Sequence, residues 1–473
     1  MTDDLDPAVD TVDLLTRVQL AAQDYLASLR HRPVRDLAAE KALAGLEFEL
    51  PSAGLGGDAA IDRMLEIAVP GAIASTGGRF FHFIVGGCTP AALAGDWITS
   101  LLDQNAGAWV TSPLATRLET VVLAWLKDLF GLPGWGGVLV TGGTAANLVG
   151  LCSARQWWAD RVGIDVTARG LHDTQRLVVV SGGYVHPSVH KALQIMGLGT
   201  DSVRVCAKDP AGRVDLDAIA ETLARTGPAV IVATAGDVNT GDFDPIDQLA
   251  DLAERYGAWL HVDAACGAFA ALSPDTAPLL NGLARAHSVA ADGHKWLNVP
   301  YESGFAFVRD GDLLRASFQA PDAGYLKGST DPHTNFGSLG PEGSRRARAL
   351  PIWATLAAYG RDGYRRMVER HLELARYLGE RVQQAPDMEL LADVTLNIVC
   401  FRFRPAGLSE SALNGINAAL GIALLSDGRV YAGTTTYCGR TALRPSIVSW
   451  RTTKDDIDLF LDVVRELADE LMG

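Results

Sequence analysis

The chain has 473 residues, of which 48% are apolar, and is too long for one core of ordinary size, so two or more packed units are expected. This ordinary globular composition excludes a disordered or fibrous protein. The formal net charge of −15 argues against nucleic acid or an anionic membrane surface as a partner.

The cysteine pattern and the N-terminus indicate the compartment. The cysteines are scattered, with no CxxC pair and no histidine spacing typical of zinc, which predicts reduced thiols in a cytoplasmic protein without a metal site. The first residues, MTDDLDPAVDTVD, are acidic where a secretory or transit sequence would be basic, and no uncharged run is long enough to span a bilayer. The six cysteines are Cys88, Cys152, Cys206, Cys266, Cys400 and Cys438.

The first part of the chain, residues 1–72, is predicted to form an N-terminal helical arm. Residues 12–70 alternate helical patterns with proline-containing breaks, as in VDLLTRVQLAAQDYLASLR and AIDRMLEIAVPGAIAS. An apolar, glycine-rich segment follows over residues 77–116, with a turn at Thr89 and Pro90 before an amphipathic helix.

The next motif, GGVLVTGGTAANLVGL, predicts an anion site. Its apolar run ends in a glycine turn, after which Thr144 is expected to cap a long helix. Free backbone N–H groups and the helix dipole converge at such a point. Because the turn has one glycine pair and neither GxGxxG nor GKS/T, a single phosphate fits better than a dinucleotide or a triphosphate.

The following motif, RLVVVSGGYVHPSVHKALQIMG, predicts a strand and then a helix that opens near Pro187. His186 stands at the corner between them, where its imidazole could face a site at the strand ends. The residues alone leave open the alternative that His186 is a helix-capping or core histidine.

Two later motifs each end an apolar run in a chemically active residue. LHVDAA predicts a buried strand that ends in Asp263, and SVAADGHKWL predicts a second one followed by Gly293, His294 and Lys295. A lysine surrounded by apolar residues is a candidate nucleophile, because desolvation lowers the pKa of its amine. An acid and a lysine on neighbouring strand ends could face opposite sides of one ring.

Strands that alternate with helices predict a mostly parallel sheet with its ligand site at the carboxyl ends of the strands. After residue 345 a long helical stretch leads into mixed strands and helices, which predicts a small α+β domain. This division gives a large α/β domain over residues 73–345 and a C-terminal domain over residues 346–473.

The motifs HVDAA and DGHKWLNVP resemble those of the group II pyridoxal-phosphate decarboxylases, which include aromatic amino acid, glutamate and histidine decarboxylases. The resemblance implies a type I fold with a seven-stranded, mostly parallel sheet. It also implies pyridoxal 5'-phosphate as the cofactor, with Lys295 bound to it covalently and His294 beside it. Asp263 would pair with the pyridine nitrogen, and Ala265 would lie against one ring face.

Further segments carry the resemblance along the chain. HPSVHKA is similar to the family's HxSxxKA, which implies that His186 stacks on the cofactor ring and takes part in catalysis. Gly143 and Thr144 match the positions that bind the cofactor phosphate. Arg444, in LRPSIVSWRTT, resembles an arginine near the substrate carboxylate, although a strand arginine is often only a surface ion pair.

In many members of the family, a loop before the Arg345-Arg346 pair carries a tyrosine that reaches the partner subunit's site and protonates the substrate carbon. Counting back the same distance in this chain reaches Phe336, which cannot donate a proton. Phe336 is therefore expected either to mark a changed reaction at the substrate or to anchor a surface loop. The same resemblance identifies Tyr325 and Lys327 as landmarks of this loop.

Two segments depart from the family pattern. Around residues 83–87 the chain has Ile84 and Val85 where aromatic side chains are usual, so the size of the substrate stays open. Where the family commonly has a GTT triplet, this chain has Gly236, Asp237 and Val238, so either Asn239 and Thr240 supply the missing hydrogen bonds or the local contacts differ.

The resemblance predicts decarboxylation of an L-amino acid to an amine and CO2 by a cytoplasmic homodimer whose helical arm packs across the partner. Phe336 keeps an oxidative decarboxylation to an aldehyde as the alternative. An aminotransferase or desulfurase of the same fold is a further one, because fold does not fix reaction.

Overall fold

The computed structural model describes residues 11–46, 49–50, 52–172, 174–319 and 333–473. The N-terminal segment is helical, as predicted, and none of its three helices has a buried residue. Arg17 of the first helix pairs with Asp62 of the third at 3.0 Å. These helices are α1 (Thr11–Ser28), α2 (Leu37–Ala42) and α3 (Gly57–Gly71).

A seven-stranded sheet forms the centre of the large domain. Its strands are β1 (Gly136–Val140), β2 (Val178–Ser181), β3 (Val203–Val205), β4 (Ala229–Thr234), β5 (Trp259–Asp263), β6 (Ser288–Asp292) and β7 (Gly304–Val308). The order is β1-β7-β6-β5-β4-β2-β3, and only β7 runs antiparallel to its neighbours. β4, β5 and β6 are buried throughout because their apolar runs are covered on both faces. The mostly parallel sheet is therefore confirmed.

Helices on both faces complete this domain. Thr89 and Ser112 cap two of them, each followed by a proline at the first helical position. The longest helix bends at Gly360, where φ is 62°. In chain order the helices are α4 (Pro90–Leu102), α5 (Pro113–Phe130), α6 (Gly143–Val162), α7 (Val166–Arg169), α8 (Pro187–Ile195), α9 (Leu216–Thr226), α10 (Ile246–Tyr256) and α11 (Gly311–Phe318). The long helix α12 (Ala349–Gln384) packs with its first part on this domain and with its last part on the C-terminal core.

The C-terminal part has a second core around a four-stranded antiparallel sheet of order β10-β11-β9-β8. Its strands are β8 (Met388–Leu390), β9 (Phe401–Phe403), β10 (Thr434–Tyr437) and β11 (Arg440–Leu443), and its helices are α13 (Glu410–Asp427) and α14 (Lys454–Met472). A small sheet separate from the central one is as predicted, and the domain boundary at residue 346 stays a prediction. No helix among the described residues is long and apolar enough to cross a membrane.

Topology brings the active residues of the two strand motifs together. β5 and β6 are parallel neighbours, and each ends in an aspartate, Asp263 and Asp292. The N-termini of α6 and α8 point to the same edge of the sheet, because each helix follows a strand that ends there. This edge is where a ligand site is expected.

Candidate active site

A cavity of about 490 Å³ lies at the carboxyl ends of β4, β5 and β6. This volume is in the range of small-molecule and cofactor sites. The cavity is lined by all the predicted cofactor-binding residues, which are Gly143, Thr144, His186, Asp263, Ala265, His294 and Lys295.

Lys295 follows β6 by three residues, and its side chain is 17% exposed. Its Nζ lies 3.8 Å from Asp292 Oδ2 and 3.5 Å from Cys266 Sγ. Burial acts to lower the pKa of this amine, but Cys266, Asp292 and Asp263 outweigh burial, and the net pKa is raised. The expected lowering of the Lys295 pKa is therefore wrong for the cofactor-free protein, because the sequence does not reveal that the Asp292 and Asp263 carboxylates lie beside the amine.

Asp263 is only 5% exposed and is held by two hydrogen bonds. Its Oδ1 accepts from the backbone N–H of Ala265 at 3.1 Å, and its Oδ2 accepts from Asn147 Nδ2 at 2.8 Å. The side chain is thereby fixed at the end of β5. Ala265 contributes only a methyl group to the cavity wall.

The glycine turn before α6 differs in detail from the prediction. Gly142, not Thr144, is the N-cap, and Thr144 lies inside the first helical turn. A Cβ on Gly142 would lie 2.9 Å from His294 Cε1, so a side chain at the cap would displace the imidazole. The N–H of Gly143 donates to Asp292 Oδ2 at 3.1 Å, so one backbone donor of this anion site already contacts a carboxylate.

His186 both caps a helix and faces the cavity, the two alternatives that the sequence left open. It is the N-cap of α8, where its Nδ1 accepts from the backbone N–H of Ser188 at 3.2 Å, and it also lines the cavity. Burial is the main cause that lowers the pKa of its imidazole. The ring is therefore neutral at neutral pH.

His294 lies between the end of β6 and the segment before β7. Its Nδ1 accepts from the N–H of Ser303 at 3.2 Å, and its Nε2 lies 3.0 Å from Asp292 Oδ1. The ring stacks on Tyr301, with the centroids 4.3 Å apart. These contacts hold the His294 ring against the glycine turn at Gly142.

Arg444 follows β11 and is not a surface arginine, since only 9% of it is exposed. Its Nη1 donates to the carbonyl of Val238 at 2.9 Å, and Val238 lines the cavity. Arg444 therefore reaches the cavity wall from the small domain but is not itself part of the lining.

Phe336 lies away from the cavity. It is 3% exposed in the hydrophobic core, and the Arg345 guanidinium lies over its ring, 5.7 Å from the centroid. The next residue, Gly337, is bonded to the carbonyl of Gly107 at 2.9 Å. This packing favours the anchoring alternative, and a role of Phe336 in the partner subunit's site stays a prediction. Tyr325 and Lys327 lie outside the described residues.

The two departures from the family pattern also have structural outcomes. Ile84 and Val85 are buried and do not line the cavity. Gly236 and Val238 line it, whereas the Asp237 carboxylate turns away and accepts from the N–H groups of Asn239 and Thr240. The local contacts therefore differ from those of the family's GTT triplet, because Asn239 and Thr240 do not line the cavity.

Several lining residues were not singled out from the sequence. Asp292 ends β6 just as Asp263 ends β5, so the same strand-end argument could have found it. Cys266, Tyr301 and Tyr184 enter the cavity from turns, and no local sequence signal predicts that.

The residues present fit pyridoxal phosphate. The glycine turn leaves room that side chains would fill, since a Cβ on Gly143 would lie 3.0 Å from Asp292 Oδ2. One cavity contains a primary amine, a buried carboxylate and a helix N-terminus. The amine can react with the aldehyde of the cofactor, the carboxylate can pair with its pyridine nitrogen, and the helix N-terminus can bind its phosphate.

The whole fold matches solved structures of this class. A structure of Oryza sativa TDC with PLP and tryptamine superposes with a TM-score of 0.90 at 26% identity, covering 98% of this chain and 99% of that chain. The fold and the cavity are thus those of a pyridoxal-phosphate enzyme.

The sequence comparisons give the family. The profile of the pyridoxal-dependent decarboxylase conserved domain matches residues 44–404. The chain is 30% identical to the aromatic-L-amino-acid decarboxylase of Bacillus atrophaeus over 403 residues, 83% of this chain and 82% of that protein. It is 33% identical to the L-2,4-diaminobutyrate decarboxylase of Rhizobium meliloti (strain 1021) over 391 residues, 80% and 76% of the two chains. The chain belongs to the pyridoxal-dependent decarboxylase family.

Membership confirms the predicted cofactor and reaction class. The protein is a pyridoxal-phosphate-dependent carboxy-lyase that converts an amino acid to an amine. The roles of the individual residues rest on the geometry of the cavity.

Proposed function

We propose that Lys295 binds pyridoxal phosphate covalently and that Asp263 pairs with its ring nitrogen. The observation that carries the proposal is that the amine and the carboxylate follow adjacent parallel strands, β6 and β5, and line one cavity. The N-terminus of α6 at Gly143 and Thr144 would hold the phosphate, because its backbone donors and dipole favour an anion.

The remaining lining residues would hold the ring in its plane. The neutral imidazole of His186 would cover one face and the methyl group of Ala265 the other. His294, fixed by Ser303 and Tyr301, would shield the phosphate end from water. Arg444, which reaches the cavity wall at Val238, would attract the substrate carboxylate.

The chemistry needs the protonated ring nitrogen. When bound, pyridoxal phosphate supplies an electron sink for the electron pair left on the substrate carbon as CO2 departs. The Asp263 carboxylate would hold the proton at the ring nitrogen, and its own position is set by Ala265 and Asn147. Removing one partner of a buried ion pair costs about 3–5 kcal/mol, so Asp263→Ala should weaken cofactor binding as well as slow the reaction.

Borohydride reduction tests the assignment of Lys295. After reduction of the cofactor-loaded protein, peptide mapping should find the cofactor on Lys295. Lys295→Ala should lose both the yellow colour and turnover, while Lys191→Ala, an exposed control in α8, should keep them. Label on another lysine would overturn the proposal.

We also propose a homodimer in a reducing compartment, the cytoplasm. Large apolar side chains of α1 and α4 are exposed in the single chain, with Leu101 at 71% and Val12 at 66%. Such patches favour association. The six cysteines are unpaired, which is the usual state in the cytoplasm. Light scattering should give twice the mass of the chain, and a monomer would contradict this proposal.

A further inference from the structure

A buried chain of hydrogen bonds lies behind the cavity, centred on Asn147 of α6. Asn147 is fully buried and does not line the cavity. Its Nδ2 donates to Asp263 Oδ2 at 2.8 Å and to Ser188 Oγ at 3.0 Å, and its Oδ1 lies 2.8 Å from His261 Nε2. One amide thus contacts three polar side chains.

The chemistry of the partners fixes the direction of these bonds. A carboxylate only accepts, so the NH2 group of Asn147 must face Asp263 and its oxygen must face His261. His261 Nε2 therefore carries the proton and donates, which makes Nδ1 an acceptor. The Ser288 hydroxyl lies 2.8 Å from that Nδ1 and donates to it, while accepting from Trp259 Nε1 at 2.9 Å.

His261 is built into this position. It is fully buried, and burial lowers the pKa of its imidazole to about 4, so the ring is neutral at neutral pH as this arrangement requires. The ring packs against α6 at Gly150, where a Cβ would lie 2.6 Å from His261 Cε1. The glycine inside the helix thus makes room for the imidazole.

A second branch leads to His186. The hydroxyl of Ser188 accepts from Asn147 and lies 2.7 Å from His186 Nδ1, which also accepts from the backbone N–H of Ser188. Two donors facing Nδ1 place the proton of the neutral imidazole on Nε2. Asn147 is therefore connected to Asp263 and His186, the two polar side chains that are proposed to contact the cofactor ring.

We propose that Asn147 is a positioning residue that aims the Asp263 carboxylate at the cofactor ring and fixes the tautomer of His186. The chain Trp259, Ser288 and His261 keeps its amide in the required orientation. This inference rests on the proposed roles of Asp263 and His186.

The variant Asn147→Asp gives the sharpest test, because it keeps the shape and loses both donors. It also sets a second carboxylate against Asp263, which disfavours the charged form of the pair. Titration of the cofactor-free chain with pyridoxal phosphate should show a dissociation constant at least tenfold higher than the wild type. The visible absorption band of the loaded protein should titrate at a different pH.

Asn417→Asp is the matched control. Asn417 is also fully buried and makes three hydrogen bonds, but these lie in the small domain, with Phe403 and Leu413. It should lower the melting temperature and leave the cofactor dissociation constant unchanged. An equal change in that constant for both variants would mean that Asn147 acts only through stability and would overturn the proposal.

The double variant Asn147→Asp with Asp263→Asn separates folding from positioning. It exchanges donor and acceptor, so the hydrogen bond is restored while the charge moves away from the cavity. We expect the melting temperature to recover and the cofactor affinity to stay low. Recovery of both would contradict the proposal.

Two further variants distinguish the possible failures. If Asp263→Ala binds the cofactor as tightly as the wild type, the proposed role of Asp263 itself fails. If Asp263→Ala is weak and Asn147→Asp is normal, only the positioning role fails. If Asn147→Asp does not fold, Ser288→Ala is the test, because it removes the hydrogen bond that orients His261. One hydrogen bond is worth about 1 kcal/mol, so the dissociation constant of pyridoxal phosphate should rise about fivefold. An unchanged dissociation constant would overturn the proposal.

Discussion

At the scale of single residues, Asp292 contacts two groups of the cofactor-free cavity. Its carboxylate accepts from the helix N-terminus at Gly143 and lies 3.8 Å from the Lys295 amine. It thus contributes to the raised pKa of Lys295 and contacts a backbone donor that the phosphate would use. Asp292 opposes cofactor capture on both counts.

The variant Asp292→Asn should therefore accelerate cofactor capture. Two charges at this separation interact by about 1 kcal/mol or more, so the pKa of Lys295 should fall by roughly one unit. A larger fraction of the amine is then neutral and nucleophilic at pH 8, and we expect capture of pyridoxal phosphate to be several times faster by stopped-flow absorbance. Asp275→Asn, an exposed change, is the control. A slower or unchanged rate would contradict this role of Asp292.

The sequence could predict where the candidate site residues lie but not the direction of the Lys295 pKa shift. Lys295 and Asp263 were found because each follows an apolar run that ends at the sheet edge. The direction of the Lys295 pKa depends on Asp292 and on Cys266, which enters from a turn. Such contacts are set by tertiary packing, which a local pattern does not contain.

At the scale of elements, a buried ion pair joins α5, β1 and the segment before α12. Arg345 contacts both carboxylate oxygens of Glu119, at 2.9 Å and 2.7 Å, and donates to the carbonyls of Ala106 and Leu139. Both side chains are at most 2% exposed. Phe336 packs under the same guanidinium, so this pair also holds the chain that follows residue 332.

Arg345→Met should be strongly destabilising, because it leaves the Glu119 carboxylate buried without its partner. The expected cost is about 3–5 kcal/mol, measured as a fall of roughly 5 °C or more in melting temperature. The control Arg361→Met removes an exposed pair with Asp128 and should cost less than about 1 kcal/mol. Equal effects of the two variants would show that burial of the pair is unimportant.

Element positions were predictable, but the environment of Phe336 was not. Apolar runs bounded by turns gave the strands, and the glycine turn gave the start of α6 to within two residues. Counting back from Arg345 to Phe336 found a residue in the right segment. The count could not show that the Phe336 ring is buried in the core, because this burial depends on the Arg345 guanidinium that lies over the ring.

At the scale of the whole molecule, His371 of α12 links the active-site region to the C-terminal part. Its Nδ1 accepts from Trp296 Nε1 at 2.9 Å, next to Lys295, and its Nε2 lies 3.0 Å from the carbonyl oxygen of Ser449. The ring is fully buried, and burial lowers the pKa of His371 to about 3. The neutral form is therefore part of the folded structure.

This burial predicts acid destabilisation with a defined sign. The pKa of His371 is about 6.5 in the unfolded chain and about 3 in the folded chain, so the unfolded chain binds the proton first as the pH falls. The contribution of neutral His371 to the free energy of unfolding is complete well above pH 6.5. It is lost as the pH falls towards 3, by up to about 1.4 kcal/mol per pH unit.

Urea unfolding at pH 7.5 and pH 5.5 measures this effect. His371→Asn can keep the hydrogen bond from Trp296 and does not titrate, so its stability should fall by about 1 kcal/mol less than that of the wild type between the two values. His82, His261 and His287, whose pKa values burial lowers to about 4, still titrate in the variant and contribute to the remaining loss. An identical pH dependence in both proteins would rule out His371 as a source.

The overall architecture was largely predictable because alternating strands and helices constrain topology. The mostly parallel sheet, the small α+β part and the helical N-terminal segment all follow the sequence pattern. The hydrogen-bond network around Asn147 could not be predicted, because it joins residues on α6, α8, β5 and β6 that are far apart in the chain. Polar contacts of this kind become visible only when the strands are in register.

The most direct test of the central claim is a single assay on the cofactor-loaded protein with a panel of amino acids. CO2, amine, aldehyde and dissolved oxygen are followed together. We expect one class of amino acid to give CO2 and amine in equal amounts, with no oxygen consumed and no turnover in Lys295→Ala. Aldehyde formed with loss of oxygen, or a keto acid formed without CO2, would contradict this account.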